Sequence, residues 1–177
     1  MSMQPGRKLR LLRGGNGSFD YSGNVSLTLG ATHAAVIDGD AFYAGGIAIR
    51  DDSAAELASA CIDWPKQRAV LEQLKAGKPA RYRPFDWEAF DGSLEARSVL
   101  IEPKQIVILE GVYSARLEFS DLLDMRILLQ AADDARLQRL LDREGTIGAW
   151  ERKWHEGEDW YFSQVAVRHH FDFVVET

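Results

Sequence analysis

Several features that define common protein classes are scarce or missing in this chain of 177 residues. It has a single cysteine, Cys61, which excludes an internal disulfide and fits a reducing compartment. It has neither a signal-peptide pattern nor an apolar run long enough to cross a bilayer, so we expect no membrane association and a cytoplasmic location. The net charge is −6, and no block rich in Lys or Arg follows the first dozen residues, which argues against a nucleic-acid partner.

The composition that remains is that of an ordinary globular protein. Hydrophobic residues make up 46% of the chain and charged residues 27%, and the length suffices for a sizeable core. We therefore expect one domain over residues 1–177, with residues 1–8 as a flexible N-terminal segment. The sequence leaves open whether the chain is a monomer or a homo-oligomer.

Short apolar runs alternate with helical patterns along the chain. Five runs have the length of strands, and the middle three are almost wholly apolar, as in strands covered on both faces. These runs are residues 9–12, 34–37, 106–109, 125–129 and 171–175. Helices are predicted over residues 63–77, from residue 133 onward and from about residue 148 onward. The alternation predicts a three-layer α/β fold with a five-stranded parallel sheet flanked by helices.

A stripe of mostly aromatic residues marks the last predicted helix. Its members are Trp150, Trp154, Gly157, Tyr161 and Val165, spaced by four, three, four and four residues. This spacing indicates one helical face, which we expect to be buried against the sheet. A platform for a ligand is the alternative interpretation.

The segment after the first predicted strand contains half of a phosphate-binding motif. The full motif, G-x-x-x-x-G-K-S/T, binds phosphates through backbone N–H groups, a lysine and a hydroxyl that ligates Mg²⁺. The chain has the opening residues Gly14, Gly15, Asn16, Gly17 and Ser18. Where the motif ends in Gly, Lys and Ser or Thr, it has Phe19, Asp20 and Tyr21. The sequence thus indicates a nucleotide-binding loop whose second half is altered.

Acidic residues follow the second and third predicted strands. Asp38 and Asp40 come directly after one strand, and Glu110 ends the other. Ligands of parallel α/β sheets bind beyond the carboxyl ends of the strands, where we expect these carboxylates to meet. One carboxylate can orient an attacking hydroxyl and another can hold Mg²⁺, as phosphoryl transfer requires. For any single acid, a helix cap or an ion pair with an arginine is the alternative.

Five short segments, in the same order, resemble the uridine kinase and phosphoribulokinase group of P-loop kinases. They are Asp40-Ala41-Phe42-Tyr43 (similar to D-x-F-Y), Asp63-Trp64-Pro65 (N-x-D-x-P), Pro84-Phe85-Asp86-Trp87 (P-x-Y-D-F), Ile108-Leu109-Glu110-Gly111 (V-E-G) and the arginine-bearing stretch 134–139. The resemblance extends from about residue 9 to residue 175. It implies a P-loop kinase that transfers the γ-phosphoryl group of ATP, with Mg²⁺, to a hydroxyl of a small-molecule acceptor such as a nucleoside.

The resemblance also implies roles for individual residues. Asp40 would be the base that activates the acceptor hydroxyl. Asp38 and Glu110 would form the Mg²⁺ environment, while Tyr43 and Asp86 would contact the acceptor. The half motif Gly14, Gly15, Asn16, Gly17 and Ser18 would bind the phosphates of ATP.

Arginines near the predicted lid complete the site that the resemblance implies. Arg136 would bind the substrate, and Arg139 and Arg143 would stabilise the transferring phosphoryl group. Arginine suits this role because its planar guanidinium meets phosphate oxygens in pairs. A solvated helix face paired with neighbouring acids is the alternative.

The chain departs from the family pattern at two places. Phe90 lies near the position at which uridine kinases have a histidine that recognises the nucleoside, so the identity of the acceptor is left open. The aromatic residues nearby belong either to the acceptor site or to the core. Phe19, Asp20 and Tyr21 replace the glycine, the cation and the short hydroxyl of the loop. A unit-charge contact at about 4 Å is worth about 4 kcal/mol at an effective dielectric of about 20, so reversing its sign is severe. The alternative function is therefore a catalytically impaired kinase-fold protein that binds a ligand or partner.

Overall fold

The computed structural model describes residues 33–132, 135, 138, 141–142 and 145–176, and the backbone of residues 8–12. In this part of the chain the strands are β1 (Lys8–Leu12), β2 (Ala34–Asp38), β3 (Ala80–Tyr82), β4 (Val99–Ile101), β5 (Ile106–Glu110), β6 (Met125–Gln130) and β7 (Phe173–Glu176). Five of them form a parallel sheet in the order β2-β5-β1-β6-β7. Strands β3 and β4 form a separate antiparallel pair. The predicted α/β class with a parallel sheet is confirmed.

The strand order explains where a ligand can bind. After β1 the chain forms β2, which lies at the edge of the sheet. Strand β5, which comes later in the chain, lies between β1 and β2. Strands β6 and β7 lie on the other side of β1. The order therefore reverses at β1, and such a switch point opens a crevice at the carboxyl ends of the strands.

Two described helices follow from local sequence signals. Helix α1 (Ala54–Ala60) begins with a capping box, in which Ser53 Oγ accepts from Glu56 N–H and the Glu56 carboxylate accepts from Ser53 N–H. Helix α2 (Trp64–Lys75) begins after Asp63, whose carboxylate accepts from Lys66 N–H at 3.0 Å. Helix α2 confirms the prediction for residues 63–77, whereas α1 and the β3–β4 pair were not predicted.

The last helix, α3 (Ala149–Gln164), begins where expected. Its main helical neighbour is α1, its stripe residues Gly157 and Tyr161 are buried, and Trp150, Trp154 and Val165 pack against the same hydrophobic core. The predicted burial of the stripe is thus confirmed in part, and its packing on the sheet itself stays a prediction. A Cβ atom on Gly157 would lie 3.3 Å from Leu57 Cβ and 3.3 Å from Tyr113 Oη, which shows how closely the helix approaches α1 and the loop after β5. Helix α1, which the sequence did not predict, provides part of the apolar surface that α3 covers. Trp150 and Trp154, in the first half of the helix, are half-buried.

One hydrophobic cluster extends through the described residues, from Ile37 in β2 to Phe171 before β7. None of the described helices combines the length and apolarity that a membrane span requires. The helix expected from residue 133 onward falls largely outside the described residues.

Candidate active site

Backbone contacts hold the carboxyl ends of β2 and β5 together. Asp38 and Glu110 are partners in the register of the two strands. Just beyond them, Gly39 N–H donates to Glu110 O at 2.8 Å. A Cβ atom on Gly39 would lie 2.4 Å from that carbonyl oxygen, so any side chain would push the strands apart. Glycine at this position is therefore a condition for the two acidic segments to meet.

Asp40 lies over the turn that follows β5. It opens a 3₁₀ turn (Asp40–Phe42), and its N–H donates to Asp38 Oδ1 at 2.8 Å. Gly111 has φ +115°, a conformation that favours glycine, and a Cβ atom there would lie 3.4 Å from Asp40 Oδ1. The structure thus brings together Asp38, Asp40 and Glu110, as the sequence predicted. We call this group, with Gly39 and Gly111, the acidic junction.

The acidic junction adjoins the switch point of the sheet. Leu12, the last residue of β1, is in register with Glu110, so the chain leaves β1 next to the junction. Several predicted site residues lie outside the described residues: Gly14, Gly15, Asn16, Gly17, Ser18, Arg136, Arg139 and Arg143. Their predicted roles stay predictions.

Two buried side chains lie near the junction. Gln67 in α2 is buried, and its Nε2 donates to Gly39 O at 3.1 Å. Tyr82 in β3 is also buried; burial raises its pKa to about 12, and the charge of Asp38 contributes to the same shift. Sequence reasoning missed both residues, because no local pattern distinguishes them from ordinary helix and strand positions.

The carboxylates of the junction suit Mg²⁺ only together with a nucleotide. Asp38 is exposed and Glu110 half-buried, and both offer hard oxygen donors at neighbouring positions. Within the described residues no three metal-ligating side chains form a group. Mg²⁺ in proteins is often held by one or two carboxylates, with phosphate oxygens and water completing its shell. The two carboxylates fit that arrangement.

Tyr43 connects the junction to a second feature of the site. It directly follows the 3₁₀ turn, it is buried, and its Oη donates to Gly46 O at 2.7 Å. Its ring lies 4.9 Å from the rings of Phe85 and Trp87, measured between centroids. Burial raises the pKa of Tyr43 to about 12, with the nearby Cys61 as a second cause. Tyr43 is therefore a neutral hydrogen-bond donor at physiological pH.

A cleft opens beside Tyr43, between the loop after β2 and helix α3. We call it the aromatic cleft; its lining includes Tyr43, Arg50, Cys61, Trp150, Lys153 and Trp154, and its volume is about 20 Å³. The two indole rings of α3 stack with centroids 5.7 Å apart and planes 13° apart. Burial raises the pKa of Cys61 to about 11, so its thiol is protonated and unreactive at neutral pH.

Two exposed aromatic side chains extend the cleft outward. Trp87 and Phe90 stack with centroids 6.0 Å apart, and the Phe90 ring meets Trp150 edge-on at 5.9 Å. Trp87 Nε1 donates to Asp40 O at 3.3 Å, which ties this segment to the acidic junction. Phe90 has φ +44°, a left-handed conformation that is unusual for an aromatic residue.

The aromatic residues around the predicted acceptor site divide between core and surface. Phe42 and Phe85 are buried and belong to the hydrophobic core, whereas Trp87 and Phe90 are 42% and 36% exposed. Asp86 Oδ1 accepts from Glu88 N–H at 3.1 Å and Ala89 N–H at 2.9 Å, so this oxygen stabilises the turn that carries the exposed pair. Contact of Asp86 with an acceptor stays a prediction.

Comparison with known proteins relates this arrangement to one family. The model of the phosphoribulokinase/uridine kinase family matches residues 48–149, more than half of the chain. A possible uridine kinase from Bacillus stearothermophilus superposes with a TM-score of 0.69 at 18% identity, over 97% of this chain and 90% of its own. Phosphoribulokinase from Rhodobacter spheroides gives 0.63 at 14% identity (96% and 69%), and D-glycerate 3-kinase from Cryptococcus neoformans gives 0.63 at 13% (96% and 86%). These similarities confirm the P-loop kinase fold. Among curated protein sequences, none matches the chain.

Proposed function

This chain belongs to the phosphoribulokinase/uridine kinase family, a family of small-molecule kinases, and we propose that it transfers the γ-phosphoryl group of ATP to a hydroxyl of a small metabolite. The observation that carries the proposal is the acidic junction. Backbone contacts between Gly39 and Glu110 hold Asp40 beside the switch point of the sheet, where ligands of such folds bind.

In the proposed reaction, Asp40 orients the acceptor hydroxyl and takes its proton. The acceptor oxygen forms a bond to the γ-phosphorus, the bond from that phosphorus to the β–γ bridging oxygen breaks, and ADP leaves. Arg139 and Arg143 are proposed to stabilise the negative charge of the transferring group, and Arg136 to bind the substrate. Tyr43 and Asp86 are proposed to contact the acceptor.

The nucleotide is proposed to bind between the acidic junction and the segment that follows β1. Backbone N–H groups of Gly14, Gly15, Asn16, Gly17 and Ser18 would hold its phosphates. Asp38 and Glu110 would hold Mg²⁺, directly or through water. When bound, this cation neutralises charge on the phosphate oxygens.

A second function is favoured by one sequence observation. Phe19, Asp20 and Tyr21 stand where the family has a glycine, a lysine and a short hydroxyl. A carboxylate in place of the lysine repels the phosphates that the loop must hold. The second candidate is therefore a kinase-fold protein that binds an acceptor-like ligand or a partner but turns over poorly.

The loop substitutions provide the experiment that separates the two functions. Isothermal titration with Mg-ATP should detect micromolar binding if the chain is an active kinase, and no binding at millimolar ATP if it is impaired. The variant Phe19→Gly/Asp20→Lys/Tyr21→Thr should bind Mg-ATP at least 10-fold more tightly than the parent, because it restores the cation and the close backbone approach. The control Glu95→Lys adds the same positive charge at an exposed position and should leave ATP affinity unchanged.

A second measurement tests the role of Asp40 in the loop-restored variant. Adding Asp40→Asn should lower phosphoryl transfer at least 100-fold while Mg-ATP still binds, because the base is lost and the phosphate loop is kept. If the loop-restored variant folds but binds ATP no better than the parent, the loop alignment is wrong; if neither protein binds ATP, the kinase proposal is wrong as well.

A further inference from the structure

Family membership leaves the chemical class of the acceptor open, and the residues of the aromatic cleft bear on it. Resting on the proposed function, we infer that the acceptor is a small hydroxy compound with an anionic group, a carboxylate or a phosphate, which Arg50 and Lys153 bind in this cleft. The hydroxyl at its other end reaches Asp40.

The position of the cleft relative to Asp40 supports this arrangement. The turn that begins at Asp40 ends directly before Tyr43, which forms one wall of the cleft. Trp87 borders both places, because its Nε1 bonds to Asp40 O and its ring lies 4.9 Å from that of Tyr43. The cleft and the acidic junction are therefore neighbours, with Trp87 and the turn from Asp40 to Tyr43 between them.

The charges that line the cleft favour an anion. Arg50 comes from the loop after β2 and Lys153 from α3, and among the described lining residues none carries a carboxylate. The acidic partners of these cations, Asp52 and Glu156, lie outside the lining. In a chain with a net charge of −6, two cations that face one cleft are a local exception.

The cations retain donors for a ligand. Arg50 uses Nε for Asp52 and Nη1 for Gly45 O at 3.3 Å, so its guanidinium is held in place with further N–H groups available. Hydrogen bonding to Asp52 also raises the pKa of Arg50, which keeps it charged. Lys153 bonds to Glu156 at 2.9 Å and has two more N–H donors. A carboxylate or phosphate bound here would receive charge-assisted hydrogen bonds from two sides.

The lining of the cleft offers a nucleobase few hydrogen-bond partners. The cleft is small, about 20 Å³, and an anionic oxygen fits between its cationic side chains without rearrangement. The rings of Trp150 and Phe90 occupy the adjoining space, 5.9 Å apart. Phe90 offers no hydrogen bond to a base edge, and Tyr43 Oη already donates to Gly46 O.

Binding can be measured directly, because Trp150 and Trp154 line the cleft and report on it by fluorescence. We expect saturable changes with D-glycerate or ribose 5-phosphate, at concentrations at least 10-fold lower than with glycerol, ribose or uridine. The first probe carries a carboxylate and the second a phosphate, so the two titrations distinguish the sources of the charge. Arg50→Gln and Lys153→Gln should each weaken binding of the preferred probe about 10-fold or more.

The control Arg81→Gln removes an exposed arginine of β3 that bonds to Ser98, the residue before β4, and it should leave binding unchanged. Thermal unfolding of each variant shows whether it is folded; if Arg50→Gln unfolds, Lys153→Gln gives the answer alone. Equal binding of charged and uncharged probes, or anion binding that neither cleft substitution alters, would overturn the inference.

Phosphoryl transfer by the loop-restored variant separates this inference from the proposed function. If that variant phosphorylates D-glycerate or ribose 5-phosphate in preference to uridine, both stand. If it uses ATP to phosphorylate uridine and neither anionic compound, the kinase proposal stands and the inference fails. If it binds no ATP, the kinase proposal fails, and anion binding in the cleft is then not binding of an acceptor.

Discussion

The acidic junction and the aromatic cleft adjoin each other, but they are built in different ways. In the junction, the decisive contacts are between backbones: Gly39 N–H bonds to Glu110 O, and Gly111 passes under Asp40. In the cleft, the decisive contacts are between side chains such as Tyr43 and Trp150, from segments far apart in the chain.

This difference shows that the aromatic cleft can change in sequence while the acidic junction keeps its structure. The backbone junction admits little variation, because the strand register and two close approaches determine it. The cleft is set by side-chain packing, and α3 and the loop after β2 can alter it while the sheet stays the same. This division suits a kinase, in which the phosphoryl-transfer chemistry is constant and the acceptor differs between relatives.

The largest effect is expected for Gly39→Ala in the junction. The new Cβ atom would lie 2.4 Å from Glu110 O, a contact with backbone that no rotamer change relieves. We expect the free energy of unfolding to fall by about 3 kcal/mol. For a chain of this size that lowers the melting temperature by roughly 6–12 °C, as calorimetry can measure.

The matched control is Gly92→Ala. Gly92 has φ +90° with no atom within 4 Å of a Cβ atom, so alanine there meets only conformational strain of about 1 kcal/mol. If Gly39→Ala melts at the same temperature as Gly92→Ala or higher, the close approach of β2 and β5 is not as described.

An intermediate effect is expected for Tyr43→Phe in the cleft. The substitution keeps the ring contacts and removes the hydrogen bond from Oη to Gly46 O, so the free energy of unfolding should fall by about 1 kcal/mol. Urea denaturation measures this change. Tyr82→Phe is the control, because the Tyr82 hydroxyl makes no hydrogen bond within the described residues; a loss as large as that of Tyr43→Phe would show that the Gly46 contact is not the cause.

The smallest effect is expected for the difference in stability between two variants at Phe90. Alanine and glycine both remove the stacking on Trp87, but only glycine accommodates φ +44° without strain. Phe90→Gly should therefore be more stable than Phe90→Ala by about 0.5–1 kcal/mol in urea denaturation. At the exposed Phe173 in β7 the order should be reversed, since glycine weakens a strand. The same order at both positions would contradict the left-handed conformation of Phe90.

The parts of the molecule that sequence reasoning predicted are those with local signals. Apolar runs marked the five strands of the main sheet, and Asp63 and Gly77 marked the ends of α2. The rule that ligands bind at the carboxyl ends of strands then placed Asp38, Asp40 and Glu110 together. The parts that it missed had weak signals or none: α1 has only the Ser53–Glu56 capping box, and nothing local singles out Arg50 or Lys153.

The sequence by itself determined the α/β class, the family and the acidic ends of β2 and β5, because strand periodicity and residue order along the chain suffice for them. Only the tertiary structure decided that α3 packs on α1 and that Arg50 and Lys153 face one cleft beside Tyr43. The physical reason is that such a cleft depends on the side-chain packing of elements distant in sequence, and no local pattern encodes which of them will meet.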